Sequence, residues 1–302
     1  MDAGFTTGDF MIEQLKTIEL FSDATDFQEL SGGLTNTVVK ISTPTKDYVA
    51  RISRAELSLL GINRDYEHEI TKIASELGVG PEVRGYYPEE STLVIDFIDG
   101  RTFNDQDLKE NLSKIISRCK LFHAGPHLPT DFDVFTIFDK YLDLALENDY
   151  ELPQGFRDYL PALTQLKEKM RENPAPLVPC HNDLLAANFI KDDDRIWIVD
   201  YEYAGNNDPA FELGNMWVEA RLDLNTLNEI VELYYGECTP SLFARTWLMA
   251  MASQYFWALY ASIQKAVTQG NFDFELWGSE RFEIVKKNFE SDFFQELLDL
   301  IA

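Results

Sequence analysis

Between Arg245 and Lys265 the chain runs from Thr246 to Gln264 without one charged side chain. Read as a helix, this segment is apolar on every face and has no side to show to water. Two surroundings accept such a segment. One is a bilayer, which about 20 apolar residues span; the other is a helical layer thick enough to cover it all round. Ser253 and Gln254 stand at its centre, and no other stretch of the chain is of the same kind, so the buried core helix is the favoured reading. At 302 residues and 45% hydrophobic composition, the chain can bury such a core as one large domain or two lobes.

The elements before it divide unevenly. Residues up to about Asp99 read as short β-rich runs, "LTNTVVKIS", "DYVARIS" and "STLVIDFIDG", with one helical stretch, "INRDYEHEITKIASELG", stopped at Gly78. From Asn104 onward helical spacing dominates. It is first seen in "DLKENLSKIISRCKLFHAG", read as one helix with Leu108, Leu112, Ile115, Ile116 and Cys119 on its apolar side. A β-like segment from Leu177 to Val199 interrupts the helices. The expectation is an α+β chain of two lobes, 1–99 small and β-rich, 100–302 larger and mostly helical, joined near "IDGR".

The formal net charge of -26 disfavours nucleic acid and anionic lipid as partners and favours cations or metal ions, although solubility alone is the simpler reason for it. Cys119, Cys180 and Cys238 are scattered, odd in number and without a Cys-x-x-Cys pair, which argues against a zinc site or disulfide framework and fits a reducing compartment. The opening "MDAGFTTGDF" has neither a basic residue nor a long apolar run, so it does not read as a signal peptide. A cytoplasmic protein that does not enter membranes is expected.

The stretch "HNDLLAANFIKDDDRIWIVDYEYAG", His181 to Gly205, carries the chemistry. "NFIK" and "RIWIVD" are apolar runs joined by Asp192-Asp193-Asp194, a turn sequence. A hairpin built this way brings Asn188 and Asp200 to the same end, with the loop "HNDLLAA" beside them. Two oxygen donors from neighbouring strand ends suit Mg²⁺, which takes few protein ligands and keeps water and phosphate oxygens. Asp183, just before the hairpin, is placed to orient an attacking hydroxyl or accept its proton. Asp, Asn five positions on, and a further Asp after a hairpin is the arrangement of phosphoryl transfer.

These motifs, "HNDLLAAN" followed by "IVDYEYAGNNDPAFELGN", resemble the choline/ethanolamine kinases, including bacterial choline kinases of the LicA type. Those belong with the aminoglycoside phosphotransferases in the two-lobed protein-kinase-like fold. The resemblance covers nearly the whole chain and implies ATP as co-substrate. It makes Asp183 the catalytic base and Asn188 and Asp200 the Mg²⁺ ligands. His181-Asn182 stands where protein kinases have His-Arg, and Asp200-Tyr201-Glu202 where they have Asp-Phe-Gly. Both departures point away from protein substrates. By the same resemblance, Gly32, Gly33, Thr35 and Asn36 belong to a loop over the ATP phosphates, and Gly-Gly lets backbone amides approach them closely. Arg51 supplies the cation on the next strand, with Lys40 as rival. Its helical partner is Glu67 or Glu69, and alignment on Gly80-Pro81 favours Glu67. Asp96 and Ile98 fall in the segment whose backbone would meet the adenine edge.

For the acceptor, Trp257 and Tyr260 lie three apart on one helix face, and Phe272, Phe274 and Trp277 follow in "GNFDFELWGSERF". Aromatics at helical spacing ordinarily pack in cores. The resemblance turns this reading round, because choline kinases carry a Trp-x-Leu-aromatic-x-x-x-Gln helix here and an aromatic segment followed by Arg-Phe. It implies a box for a quaternary ammonium, with Glu219 as the acidic residue beside the cation. Leu185 departs from the family's frequent Gln at that place. Choline is the expected acceptor; ethanolamine, an aminoglycoside, or a non-catalytic binding role are the alternatives. His123 is expected to be buried and structural, and His68 and His127 to lie at the surface.

Overall fold

The computed structural model describes residues 7–30, 36–53, 59–193, 195–268 and 272–301. After helix α1 (Thr7–Leu15), strands β1 (Asp26–Leu30), β2 (Asn36–Ser42), β3 (Asp47–Ser53), β4 (Val83–Tyr87) and β5 (Thr92–Asp96) form one antiparallel sheet in the order β1-β2-β3-β5-β4. Val39, Ile41, Ala50, Ile52 and Val94 pack from this sheet onto Leu15, Ile18 and Phe21 to make a small core. Alternation along β2 and β3 leaves Arg51 between the core residues Ala50 and Ile52, on the opposite face of the sheet.

Helix α2 (Arg64–Glu76) is sequence-encoded at both ends. Asn63 caps it, accepting the N–H groups of Asp65 and Tyr66, and Gly78 leaves it at a φ of 66° that favours glycine. Its apolar side does not join the sheet's core. Ile70 and Ala74 are buried instead in the large second core, with Phe122 and Tyr201. The helix thus lies between the two halves, and Glu67 remains for the sheet side.

The chain enters the second half through β6 (Arg101–Thr102), which pairs with β8 (Phe189–Asp192) and through it with β9 (Arg195–Ile198). The expected single helix after Asn104 is two, α3 (Asp105–Glu110) and α4 (Leu112–His123). The break is Asn111, at φ -118° and ψ 17°, whose side chain donates to the Asp107 carbonyl at 2.8 Å. An Asn that satisfies backbone groups locally ends a helix that apolar spacing alone would continue.

Helices α5 (Val134–Glu147), α6 (Leu160–Glu172), α7 (Pro209–Glu219), α8 (Leu224–Tyr235), α10 (Phe274–Phe289) and α11 (Asp292–Asp299) surround α9 (Pro240–Val267), which holds the uncharged segment. Every residue from Thr246 to Gln264 is buried. No described helix is long and apolar enough to cross a membrane. The two polar residues that seemed out of place face α7. Ser253 donates to Asn215 Oδ1 at 2.5 Å, and Gln254 donates to Glu219 Oε1 at 2.5 Å. Two glycines permit these crossings. A Cβ on Gly214 would collide with the Thr246 carbonyl, and one on Gly278 with Ala261, so α7 and α10 approach α9 more closely than any side chain allows.

Candidate active site

Strand β7 (Val178–Cys180) pairs with β10 (Gly205–Asn207) and delivers the loop that begins at His181. This loop is braced from beneath by α7. Asp208 caps that helix and Pro209 starts it. Glu212, one turn in and 1% exposed, uses both oxygens. Oε2 accepts the backbone N–H groups of His181 and of Asn182, the latter at 2.9 Å. Oε1 meets His123 Nε2 at 2.6 Å, and His123 Nδ1 lies 2.6 Å from the Tyr234 hydroxyl. Burial pushes the Glu212 carboxyl up, but His123 and the amides outweigh it and hold it below the ordinary value. His123, Cys180 and Glu212 come within 4.8 Å of one another. Because the imidazole and carboxylate already bond each other and the loop, the group acts as a brace and not as a metal centre.

Asn182 takes a left-handed φ of 68° and donates to the Tyr203 carbonyl at 3.0 Å while accepting from Asn207 at 2.8 Å. His181 is buried, and burial lowers its pKa. The neutral ring accepts the Asp183 N–H through Nδ1 at 3.3 Å and donates from Nε2 to the Val199 carbonyl at 2.9 Å. The loop is therefore tied to the strand that leads into Asp200.

The three predicted carboxylate and amide groups come together. Asn188 donates its side-chain N–H to the Asp183 carbonyl at 2.8 Å and to Asp183 Oδ2 at 3.2 Å. Its own backbone carbonyl accepts the Val199 N–H at 3.0 Å, which sets it beside Asp200. Asp200 has a φ of 73°, a strained value for a non-glycine residue, of the kind found where function fixes a side chain. The surroundings of Asp183 are buried, and Asp200, Glu202 and Glu219 add negative charge near it. Together these raise its carboxyl well above the usual range, against Asn188, which lowers it.

Arg51 is the cation that faces this cluster. It reaches Glu67 Oε1 and Asp200 Oδ1, each at 2.5 Å, and lies 3.8 Å from Glu202. These carboxylates outweigh burial and raise the pKa of an already permanent charge. Lys40 is committed elsewhere, to Asp47 at 2.7 Å and over the Phe97 ring. Glu69 is exposed, so the helical partner is Glu67. Arg64 and Glu202 were not anticipated as members of the network. Arg64 bonds Glu67 at 2.5 Å and Glu202 at 3.1 Å, and Asn36 donates to Glu202 at 3.1 Å. Glu202 thus ties the end of the expected phosphate loop to α2 and to the segment after Asp200. Burial and Asp200 push its carboxyl up to about 7, with Arg51 pulling the other way. Gly32, Gly33 and Thr35 lie outside the described residues. At Asp96 the amide donates to the Glu82 carbonyl at 2.9 Å, and the side chain pairs with Lys46 and Arg84. Ile98 follows two residues on, and its carbonyl accepts the Gly100 N–H at 2.9 Å.

The aromatic residues form one continuous run. Tyr203 meets Trp257 with centroids 5.2 Å apart, Trp257 meets Tyr260 at 5.2 Å, Tyr260 meets Trp277 at 6.2 Å, and Phe272 meets Trp277 at 6.3 Å and Phe274 at 4.8 Å. Trp257, Tyr260 and Phe274 are buried, while Phe272 is exposed. Trp257 Nε1 is fixed by Asn215 at 3.1 Å. Tyr203 was missed from sequence. Its signal is the Asp-Tyr-Glu-Tyr stretch, where the second Tyr sits in the turn three positions after Asp200. Glu219 closes the end of the run. Gln254 and Arg281 hold its two oxygens, and the Arg281 guanidinium stacks 3.5 Å from the Trp277 centroid.

A small antiparallel sheet beside a helical body, with Asp183, Asn188 and Asp200 around a hairpin facing a buried Arg–Glu pair, defines the protein-kinase-like phosphotransferases. Residues 27–236 match the family model described as choline/ethanolamine kinase. The chain belongs to that family, whose members are kinases transferring phosphate to an alcohol. It is 26% identical over 284 residues to ethanolamine kinase 2 of Rattus norvegicus, covering 83% of this chain and 72% of that protein. It is 30% identical over 212 residues to protein LicA of Haemophilus influenzae, covering 68% of this chain and 62% of that one. The solved structure of a choline/ethanolamine kinase family protein from Mesorhizobium loti superposes with a TM-score of 0.84 at 28% identity, covering 98% of this chain and 99% of that one.

Proposed function

We propose that this kinase transfers the γ-phosphate of ATP to the hydroxyl of choline, giving phosphocholine and ADP. The observation that supports choline most is the unbroken aromatic run from Tyr203 to Trp277, ending at Glu219, a carboxylate close enough to Asp183 for its charge to raise that group. A quaternary ammonium has no N–H to donate and is attracted by aromatic faces, each contributing roughly 0.5–2 kcal/mol. Ethanolamine needs acceptors for its ammonium hydrogens instead.

In this reading residues 1–99 serve the nucleotide and 100–302 the chemistry and the acceptor. The Gly32-Gly33 loop with Thr35 and Asn36 covers the phosphates, Arg51 held by Glu67 neutralises them, and the backbone around Asp96 and Ile98 meets the adenine. Asp183 orients the acceptor hydroxyl and takes its proton as the oxygen attacks the γ-phosphorus and the bond to the β-phosphate oxygen breaks. The surroundings that raise the Asp183 carboxyl make it a stronger base than a solvated Asp. Asn188 and Asp200 offer an amide and a carboxylate oxygen, hard donors of the kind Mg²⁺ takes, and the Asp200 side chain is 33% exposed. When bound there, Mg²⁺ supplies charge neutralisation on the transferring phosphates.

Steady-state ADP release with choline, ethanolamine and an aminoglycoside tests the reading. Choline should have the highest kcat/KM. A higher value for ethanolamine would overturn choline and leave the kinase intact.

A further inference from the structure

The cation-binding end of the acceptor pocket already holds a cation of its own. Helix α10 places Trp277 and Arg281 one turn apart on the same face. The guanidinium carbon lies 3.5 Å from the Trp277 ring centroid, one N–H group donates to the Trp277 carbonyl at 3.1 Å, and the other terminal nitrogen donates to Glu219 Oε2. Arg281 is 9% exposed. Glu219 Oε1 takes Gln254, so both of its oxygens are committed to the protein.

From this geometry we infer that Arg281 determines acceptor specificity: it cancels the charge of Glu219, so that the substrate ammonium finds aromatic surroundings there and no bare carboxylate. The inference rests on the amino-alcohol reading above. A primary ammonium carries three donors and seeks a bare carboxylate; a quaternary ammonium carries none and needs only polarisable faces. With its charge offset, the pocket loses more for the first than for the second. The arrangement also serves the reaction. Asp200, Glu202 and Glu219 all add negative charge near Asp183, and Arg281 sets a cation beside one of the three. Arginine suits the position better than lysine, because its planar fork stacks on the indole and reaches the carboxylate and the carbonyl at once. Gly278 makes this possible by letting α10 approach α9 at Ala261.

The test is a double-mutant cycle on Glu219 and Arg281, with KM and kcat measured separately for choline and ethanolamine, and a thermal melt of each protein. Glu219→Gln leaves Arg281 uncancelled beside the incoming ammonium, so KM for choline should rise about tenfold or more with kcat little changed. Adding Arg281→Met should then restore KM to within about threefold of wild type. If Glu219 itself grips the ammonium, the double variant stays as impaired as Glu219→Gln, and the inference is overturned. Arg281→Met alone bares Glu219 and should shift the ethanolamine-to-choline ratio of kcat/KM toward ethanolamine by about fivefold or more. An unchanged ratio in a folded enzyme also overturns it. Should that single variant fail to fold, the double variant, which leaves no buried charge, still decides. A merely structural Arg281 would lower the active fraction, and so kcat, for both substrates while leaving KM unmoved. If the wild type prefers ethanolamine, the choline reading fails on its own, and KM rescue read with ethanolamine still judges Arg281.

Discussion

Glu212→Gln is the substitution that most directly tests how the loop carrying Asp183 is held. The carboxylate accepts three hydrogen bonds, from the backbone of His181, the backbone of Asn182 and His123. Hydrogen bonds to a charged acceptor contribute about 1.5–3 kcal/mol each, and neutral ones about 0.5–1.5. Gln keeps the shape and can keep its oxygen on the two amides, with its NH₂ facing a His123 that shifts its proton to Nδ1 and the Tyr234 hydroxyl. The loss is then the charge alone, about 1 kcal/mol per bond, or roughly 2–3 kcal/mol in all. For a chain of this size that lowers Tm by about 4–12 °C, at 2–4 °C per kcal/mol. Glu212→Ala is a different perturbation. It leaves two buried N–H groups and an imidazole without a partner, at about 1–3 kcal/mol apiece, enough to threaten the fold. Differential scanning calorimetry reads the first effect. Steady-state kinetics reads the second consequence, because the loop carries Asp183: kcat should fall in Glu212→Gln while KM for ATP stays. A Glu212→Gln protein with wild-type Tm and wild-type kcat would refute the claim that this carboxylate sets the loop.

The remaining expectations concern the site itself. Asp200→Ala should abolish turnover in a folded protein, and near-normal turnover at saturating Mg²⁺ would remove Asp200 from the proposed metal site. Asp183→Asn should lower kcat by roughly 10²–10⁴ while raising Tm, measured in chelator. The raised Asp183 carboxyl means the fold binds a proton that the unfolded chain, at its ordinary 3.8, has already released. Wild-type stability is therefore reduced at high pH and regained as pH falls through the raised value. The Tm gap between Asp183→Asn and wild type should be largest at high pH and close on acidification, and a gap independent of pH would contradict the shift. Gly278→Ala should push α10 off Ala261, lower stability by about 1–3 kcal/mol, and raise KM for the acceptor more than for ATP. An equal change in both constants would detach Gly278 from the acceptor pocket.

What could be read in advance was what is local. Asp183, Asn188 and Asp200 lie within 18 positions, and the turn residues between them dictate the hairpin that joins them. The core helix was legible because a run without charge has no exposed face to offer, whereas Arg51 with Glu67 was legible only through the resemblance and its alignment on Gly80-Pro81. The brace was not legible. Glu212 stands 30 positions beyond Asn182 and 89 beyond His123, in a helix whose neighbours are nearly all apolar, and an acid there reads as an ordinary exception. Asn111 gave its break only through a side-chain bond to its own helix.

Arg281 shows why the remainder needed coordinates. Its sequence neighbours permit a solvated helix face, and Glu280 beside it is one, exposed and paired with Arg221. What separates the two positions is the approach of α10 to α9, set by a glycine whose counterpart, Ala261, lies 17 positions earlier. That contact turns one arginine inward onto an indole and a carboxylate. Charge, ring and acid are each visible in the sequence, but their cancellation is a property of the distance between two helices. In the proposed choline site the aromatic run and the acid beside it are accordingly not two attractions that add. Arg281 lies against Glu219, so at the proposed acceptor site the net field is set by the pair.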